Sequence, residues 1–128
     1  MKKLLLVALC FPMLLSFSQE KKYKVGVVAF YNLENFFDTI DDPNKNDEDF
    51  TPAGANHYTA KVYQDKVRKL TEVLSQIGTD ITPDGFSMVG VAEIENDKVL
   101  EDLVAQPEFA NRHLKIVHYE GPDERSID

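Results

Sequence analysis

Two polar residues stand at the ends of otherwise apolar runs: Asn32 follows Val27-Val28-Ala29-Phe30-Tyr31, and Glu93 follows Met88-Val89-Gly90-Val91-Ala92. In open α/β sheets ligands are met at the strand ends, so an amide and a carboxylate placed there are site candidates. Carboxylate oxygen is what a hard divalent ion requires, and an amide can hydrogen-bond phosphate or water without adding negative charge. The residue types fit such chemistry without selecting it, because a lone acid at a strand end can also be ordinary exposed loop. Two other groupings invite a metal and are set aside. Asp42, Asn44 and Asn46 alternate like the start of a calcium loop, but Asp47 stands where the glycine is required and Ala53 where the closing glutamate belongs. His57 and His118 have no spacing partner for zinc, so His118 reads as a strand residue.

The elements that must position Asn32 and Glu93 follow from the apolar pattern. Residues 24–31 form a short β-branched and aromatic run without a polar residue in its middle, which predicts a strand buried on both faces and ended by Asn32. The stretch from Asp38 to Asp49 holds six acids, with Pro43 and several turn residues, and predicts a solvated loop that carries no core. Tyr63, Val67, Leu70, Val73, Leu74 and Ile77 recur at steps of three and four, with Thr59 as N-cap and Gly78 as stop; this predicts a helix whose other face, with Lys61, Asp65, Lys66, Lys69 and Glu72, is solvated. After the turn sequence Thr82-Pro83-Asp84-Gly85, residues 87–92 predict a second buried strand ending at Glu93. A shorter helix then runs from an Asn96 cap through Val99, Leu100, Leu103 and Val104 to a stop at Pro107, and Leu114 to Tyr119 is expected as a third strand. Strand, long loop, helix, strand, helix, strand is an alternating α/β order.

Lys2 and Lys3 precede an apolar run from Leu4 to Leu15, and Ser16-Phe17-Ser18 places small residues where a signal peptidase reads. Residues 1–18 are therefore expected to be a signal peptide and the protein to be exported, periplasmic or extracellular. The run is about a dozen residues, short of the roughly 20 that a permanent membrane helix needs, so no stable membrane anchor is expected. Cys10 is the single cysteine of the sequence and reads as part of the signal rather than a lipidation site, which leaves residues 19–128 with no disulfide to hold them. Loss of Lys2 and Lys3 moves the net charge from −8 to −10. Such a chain has no broad basic footprint for nucleic acid, so a phosphate-ester substrate would need divalent cations and a few local arginines to offset repulsion. The remaining length, about 110 residues, suits one small domain and not two.

Three blocks together carry a resemblance. Phe30-Tyr31-Asn32-Leu33-Glu34-Asn35-Phe36-Phe37-Asp38, then Gly90-Val91-Ala92-Glu93-Ile94-Glu95-Asn96, then His118 through Asp128 resemble, in order and spacing, the first three motif regions of endonuclease/exonuclease/phosphatase proteins, secreted bacterial members in particular. The likeness covers essentially all of residues 19–128. It implies the N-terminal part of a four-layer α/β sandwich, two packed sheets flanked by helices, and a metal-dependent phosphoester hydrolase acting on DNA, nucleotides or another phosphodiester. By motif, Asn32 would be the catalytic asparagine that orients the metal site and the scissile phosphate, and Glu93 the ligand of Mg²⁺ or Mn²⁺. Arg125 and Asp128 fall in the block where the family shows arginine, glycine, isoleucine and aspartate, and they are carried over as phosphate-site residues. Arg125 could pair a phosphate through its planar fork, or simply form a loop salt bridge. Two departures stand out: Ala92 where the family usually has glutamine, and Ser126 at the glycine.

The family's water-activating aspartate with its partner asparagine, and its late aspartate–histidine pair, match nothing in residues 19–128. The resemblance therefore implies a chain cut off before its active site is complete, with negligible hydrolysis of its own. The other expectation is a secreted non-catalytic binding module that keeps half of the fold. Substrate choice lies in loops that the resemblance does not reach, and the fold does not settle it.

Overall fold

The computed structural model describes residues 21–128; the expected signal peptide lies outside them. Two strands, β1 (Val27–Phe36) and β2 (Phe86–Ile94), pair in parallel, and helix α1 (Ala60–Gln76) connects them. A second helix, α2 (Asp97–Val104), follows β2, and short 3-10 turns occupy Glu48–Phe50 and Pro107–Phe109. This is a mixed α/β arrangement with a two-stranded parallel sheet. No helix among the described residues is long and apolar enough to cross a membrane.

Local chemistry sets the helix ends where the sequence predicts them. The Thr59 hydroxyl accepts from Val62 N at the start of α1, and the Asn96 side chain accepts from Val99 N at the start of α2, each satisfying a donor that the first turn leaves unpaired. Beyond α1 the chain turns through Gly78 at φ +76, where a Cβ would lie 2.8 Å from Val27 Cγ1. Glycine supplies both the left-handed turn and the close approach of the helix end to β1.

The apolar stripes of α1 and α2 cover one face of the sheet. Leu33, Phe36, Tyr63, Val67, Leu74, Ile94, Val99 and Leu103 form the centre of one buried cluster, which Phe86 and Phe109 extend. Leu33, Phe36 and Val99 are completely buried, and each such side chain contributes about 1.5–3 kcal/mol relative to exposure. Phe36 stacks on Tyr63 at 5.7 Å, and the Tyr63 hydroxyl donates to Asp102 at 2.7 Å, tying α1 to α2. Arg112 lies over the Phe86 ring at 5.1 Å and the Phe109 ring at 5.6 Å, closing the bottom of the cluster.

Three expectations are corrected. The strands are not buried on both faces: Val28 is 69% exposed, Phe30 71% and Met88 61%, all on the face away from the helices. The acidic loop does carry core, because Asp47 is 2% exposed, and Phe50, just after the loop, stacks on Phe37 with ring centroids 3.9 Å apart. Leu114 to Tyr119 is not a strand. Leu114, Ile116 and His118 are half-buried and Lys115, Val117 and Tyr119 exposed. Val89 and Val91 of β2 line a cavity of about 630 Å³ together with Leu114 and Ile116. A strand exists through its ladder, and this segment joins none among the described residues, where the sheet holds β1 and β2.

Candidate functional site

The β1–β2 pairing runs in step from Val28↔Met88 to Asn32↔Ala92 and resumes at Phe36↔Ile94. Four steps along β1 therefore match two along β2, so β1 bulges between Asn32 and Phe36. Bulges re-aim side chains at the ends of pairing, and this one sends Leu33 into the core while Glu34 and Asn35 stay in solvent.

The bulge brings Asn32 and Glu93 together. Asn32 Nδ2 donates to Glu93 Oε1 at 2.8 Å, and Asn32 Oδ1 accepts from Glu34 N at 2.7 Å, an Asx turn that closes the bulge. Asn35 N donates to Glu93 Oε2 at 3.0 Å. An amide is the side chain that both donates and accepts here; an aspartate could not give a proton to Glu93. Each Glu93 oxygen holds one such bond and keeps a lone pair facing solvent, which is what a carboxylate needs to bind an ion while second partners fix its orientation.

Backbone strain gathers at the same place. Glu34 (φ 56), Asn35 (φ 58) and Glu93 (φ 62) are three of the six non-glycine residues with positive φ among those described. Such conformations cost about 1–3 kcal/mol each and persist where surrounding contacts over-determine them. One such contact is Lys66, which donates its ammonium to the carbonyls of Glu34 and Asn35. Burial lowers its pKa, against the pull of Glu34 and Glu93. Sequence pattern placed Lys66 on a solvated helix face; in the fold it reaches along α1 to the strained bulge, as long basic side chains do when only the charged tip has a destination.

Behind the bulge lies a buried acid pair. Glu95 is 3% exposed and Asp47 2%, and the Asp47 carboxyl helps to raise the Glu95 pKa. Asp38 N donates to Glu95 Oε2 at 2.6 Å and Asp42 N to Asp47 Oδ2 at 3.1 Å, while Asp47 Oδ1 has no hydrogen-bond partner. Burial pushes the Glu95 carboxyl up to about 8, and the neighbouring Asp38 and Asp47 charges push the same way. A proton kept on Glu95 lowers the repulsion between the two carboxyls.

Arg125 and Asp128 are both engaged. Arg125 makes a two-pronged contact with Asp123, Nε to Oδ1 at 3.1 Å and Nη2 to Oδ2 at 2.7 Å, on the surface. This is the loop salt bridge that the sequence left open, and it holds the Asp123 carboxyl down to about 2. Asp128 joins the site through its backbone: its carbonyl accepts from Glu93 N at 2.5 Å and Ile94 N at 3.2 Å, and its N–H donates to Ile94 O at 2.8 Å. Its carboxylate turns to His118 Nε2 at 2.9 Å and Gly121 N at 2.6 Å. Ser126, where the family shows glycine, sits at φ 60, a region that glycine enters without strain.

A parallel strand–helix–strand unit whose strand ends join a carboxylate to an amide is the frame of an α/β ligand site. The chain belongs to the Endonuclease/Exonuclease/phosphatase family, whose profile matches residues 27–128. Members of that family act on phosphoesters and generally depend on divalent metal. No curated protein and no solved structure matches the chain.

Proposed function

We propose that this chain is an exported member of the family whose Glu93 holds a divalent ion, Mg²⁺ or Mn²⁺, for phosphoester hydrolysis. The observation that carries the reading is the Glu93 carboxylate fixed by Asn32 and Asn35, with Glu34 and Asn35 in the bulge and Glu93 opposite them all at positive φ. Strain of that kind serves preorganisation at sites and is costly elsewhere. A bound ion would supply charge stabilisation at the phosphoryl oxygens. The chain's own part is to hold Glu93 in one rotamer through Asn32, to anchor the bulge through Lys66, and to offer Arg125 to the phosphate when it exchanges Asp123 for substrate. Asp128 serves by fixing the Glu93 backbone.

The four-layer sandwich is part of the proposal. Its support is the exposed apolar face of Val28, Phe30 and Met88, which is what a second sheet would cover. Export rests on the Lys2–Ser18 segment alone.

The test combines ion and phosphoester. With Mn²⁺ added, the ³¹P line of thymidine monophosphate should broaden in the presence of the protein beyond what free Mn²⁺ produces, and Glu93→Gln should abolish the excess. Broadening of equal size with the variant would refute the assignment of the ion to Glu93.

A further inference from the structure

His118 and Glu120 are two residues apart in the segment that begins at Leu114. The loop from Gly121 to Ile127 returns the chain so that Asp128 faces them. One ligand atom from each of His118, Glu120 and Asp128 lies within 4.8 Å of the others. Glu93 is not one of the three.

Three features give this corner the build of a metal site. The donor set is mixed: one imidazole nitrogen and two carboxylates, which suits zinc and related transition ions better than Mg²⁺, an ion that takes oxygen and water. Asp128 is already oriented, since Gly121 N donates to Oδ1 at 2.6 Å while Oδ2 faces His118 Nε2 at 2.9 Å. A backbone donor behind a ligating carboxylate is the usual means of fixing such a ligand. Gly121 is what permits the approach, for a Cβ there would lie 2.1 Å from Asp128 Oδ1. The charge is also unbalanced: the Glu120 carboxylate has no hydrogen bond or ion pair among the described residues, and Lys45, which lines the same pocket, donates instead to Asp123 O at 3.2 Å. Two carboxylates share one imidazole, and a divalent cation supplies the missing positive charge.

We propose that His118, Glu120 and Asp128 form a second metal site, separate from Glu93, that takes a transition ion such as Zn²⁺ through one nitrogen and two oxygens. The ion replaces the proton between His118 Nε2 and Asp128 Oδ2, and water completes a fourth position. A metal here would also pin the return loop to β2, beside the Glu93 backbone.

Calorimetry with Zn²⁺ on the full chain, and Co²⁺ absorption as a spectroscopic reading of geometry, test the site. One Zn²⁺ per chain is expected, with affinity reduced tenfold or more by His118→Ala and by Glu120→Gln, and unchanged by Glu93→Gln. Glu120 is exposed and unpartnered, so its variant keeps the fold even if His118→Ala disturbs it. In ¹⁵N spectra the His118 Nε2 resonance, not those of His57 or His113, should shift on Zn²⁺ addition. The proposal is overturned by absence of stoichiometric Zn²⁺ binding, or by binding that survives Glu120→Gln at full strength. Loss of Zn²⁺ binding in Glu93→Gln would overturn its separateness, whereas failure of Mn²⁺ to bind at Glu93 leaves the zinc result standing by itself.

Discussion

The side-chain amide of Asn32 donates to the Glu93 carboxylate at 2.8 Å, joining the ends of two parallel strands across 61 residues of sequence. The same amide oxygen holds Glu34 N at 2.7 Å, so one side chain sets both the bulge and the carboxylate. Asn32→Ala should therefore free Glu93 and open the Asx turn together. Partners behind a metal ligand are worth roughly 10–100-fold in affinity, and Mn²⁺ binding should weaken by about that factor in titration calorimetry. A variant that binds Mn²⁺ as the parent does would remove Asn32 from the site.

Lys66 holds the carbonyls of Glu34 and Asn35 in their strained bulge. Hydrogen bonds from a charged donor contribute about 1.5–3 kcal/mol. Lys66→Met keeps the apolar stem and should lower stability by about 1–3 kcal/mol in urea unfolding, and it should also weaken Mn²⁺ binding. If stability falls but ion affinity does not, Lys66 supports the fold without positioning the site.

The buried Glu95 carboxyl sets a pH dependence. Its folded pKa of about 8 lies above the ordinary 4.5. The native state keeps a proton that the unfolded chain gives up, so this contribution is fully present below about pH 4.5 and is lost as pH rises to about 8. Unfolding midpoints should fall from pH 5 to pH 8 and level off above. Glu95→Gln keeps an acceptor for Asp38 N and can donate to Asp47, so its midpoint should lose most of that slope; an unchanged slope would place the titration elsewhere.

Ser126 adopts φ 60 in the return loop. Relief of a left-handed non-glycine conformation outweighs the extra chain entropy of glycine, and Ser126→Gly should raise stability by about 0.5–1 kcal/mol in thermal unfolding. A loss instead would mean that the Ser126 hydroxyl, 3.5 Å from Glu95 O, matters more than the backbone.

Much of the scaffold was legible because it is encoded locally. Thr59 and Asn96 cap the helices they were expected to cap, and Gly78 turns the chain beyond α1. The meeting of Asn32 with Glu93 could be expected only from motif resemblance, since the bulge that creates it depends on register between distant strands. Tertiary pairing also decided what pattern misread. Leu114 to Tyr119 has strand-like alternation but joins no ladder, and Asp47 sits in an acidic loop whose composition gives no sign that one carboxyl is buried. Lys66 looked like any solvated lysine because its partners are main-chain carbonyls, which no side-chain pattern reveals. The contact of His118 with Asp128 depends on a loop return that leaves little trace in spacing beyond the glycine at 121.

Mn²⁺ binding by the full chain, followed by electron paramagnetic resonance and compared with Glu93→Gln, bears most directly on the central claim. Glu93→Gln preserves the shape of the side chain and can still accept from Asn32 or Asn35, so the fold should hold while the ion is lost. One bound Mn²⁺ in the parent and at least a tenfold weaker affinity in the variant is the result expected. Equal Mn²⁺ binding by the two proteins would contradict a metal centre at Glu93.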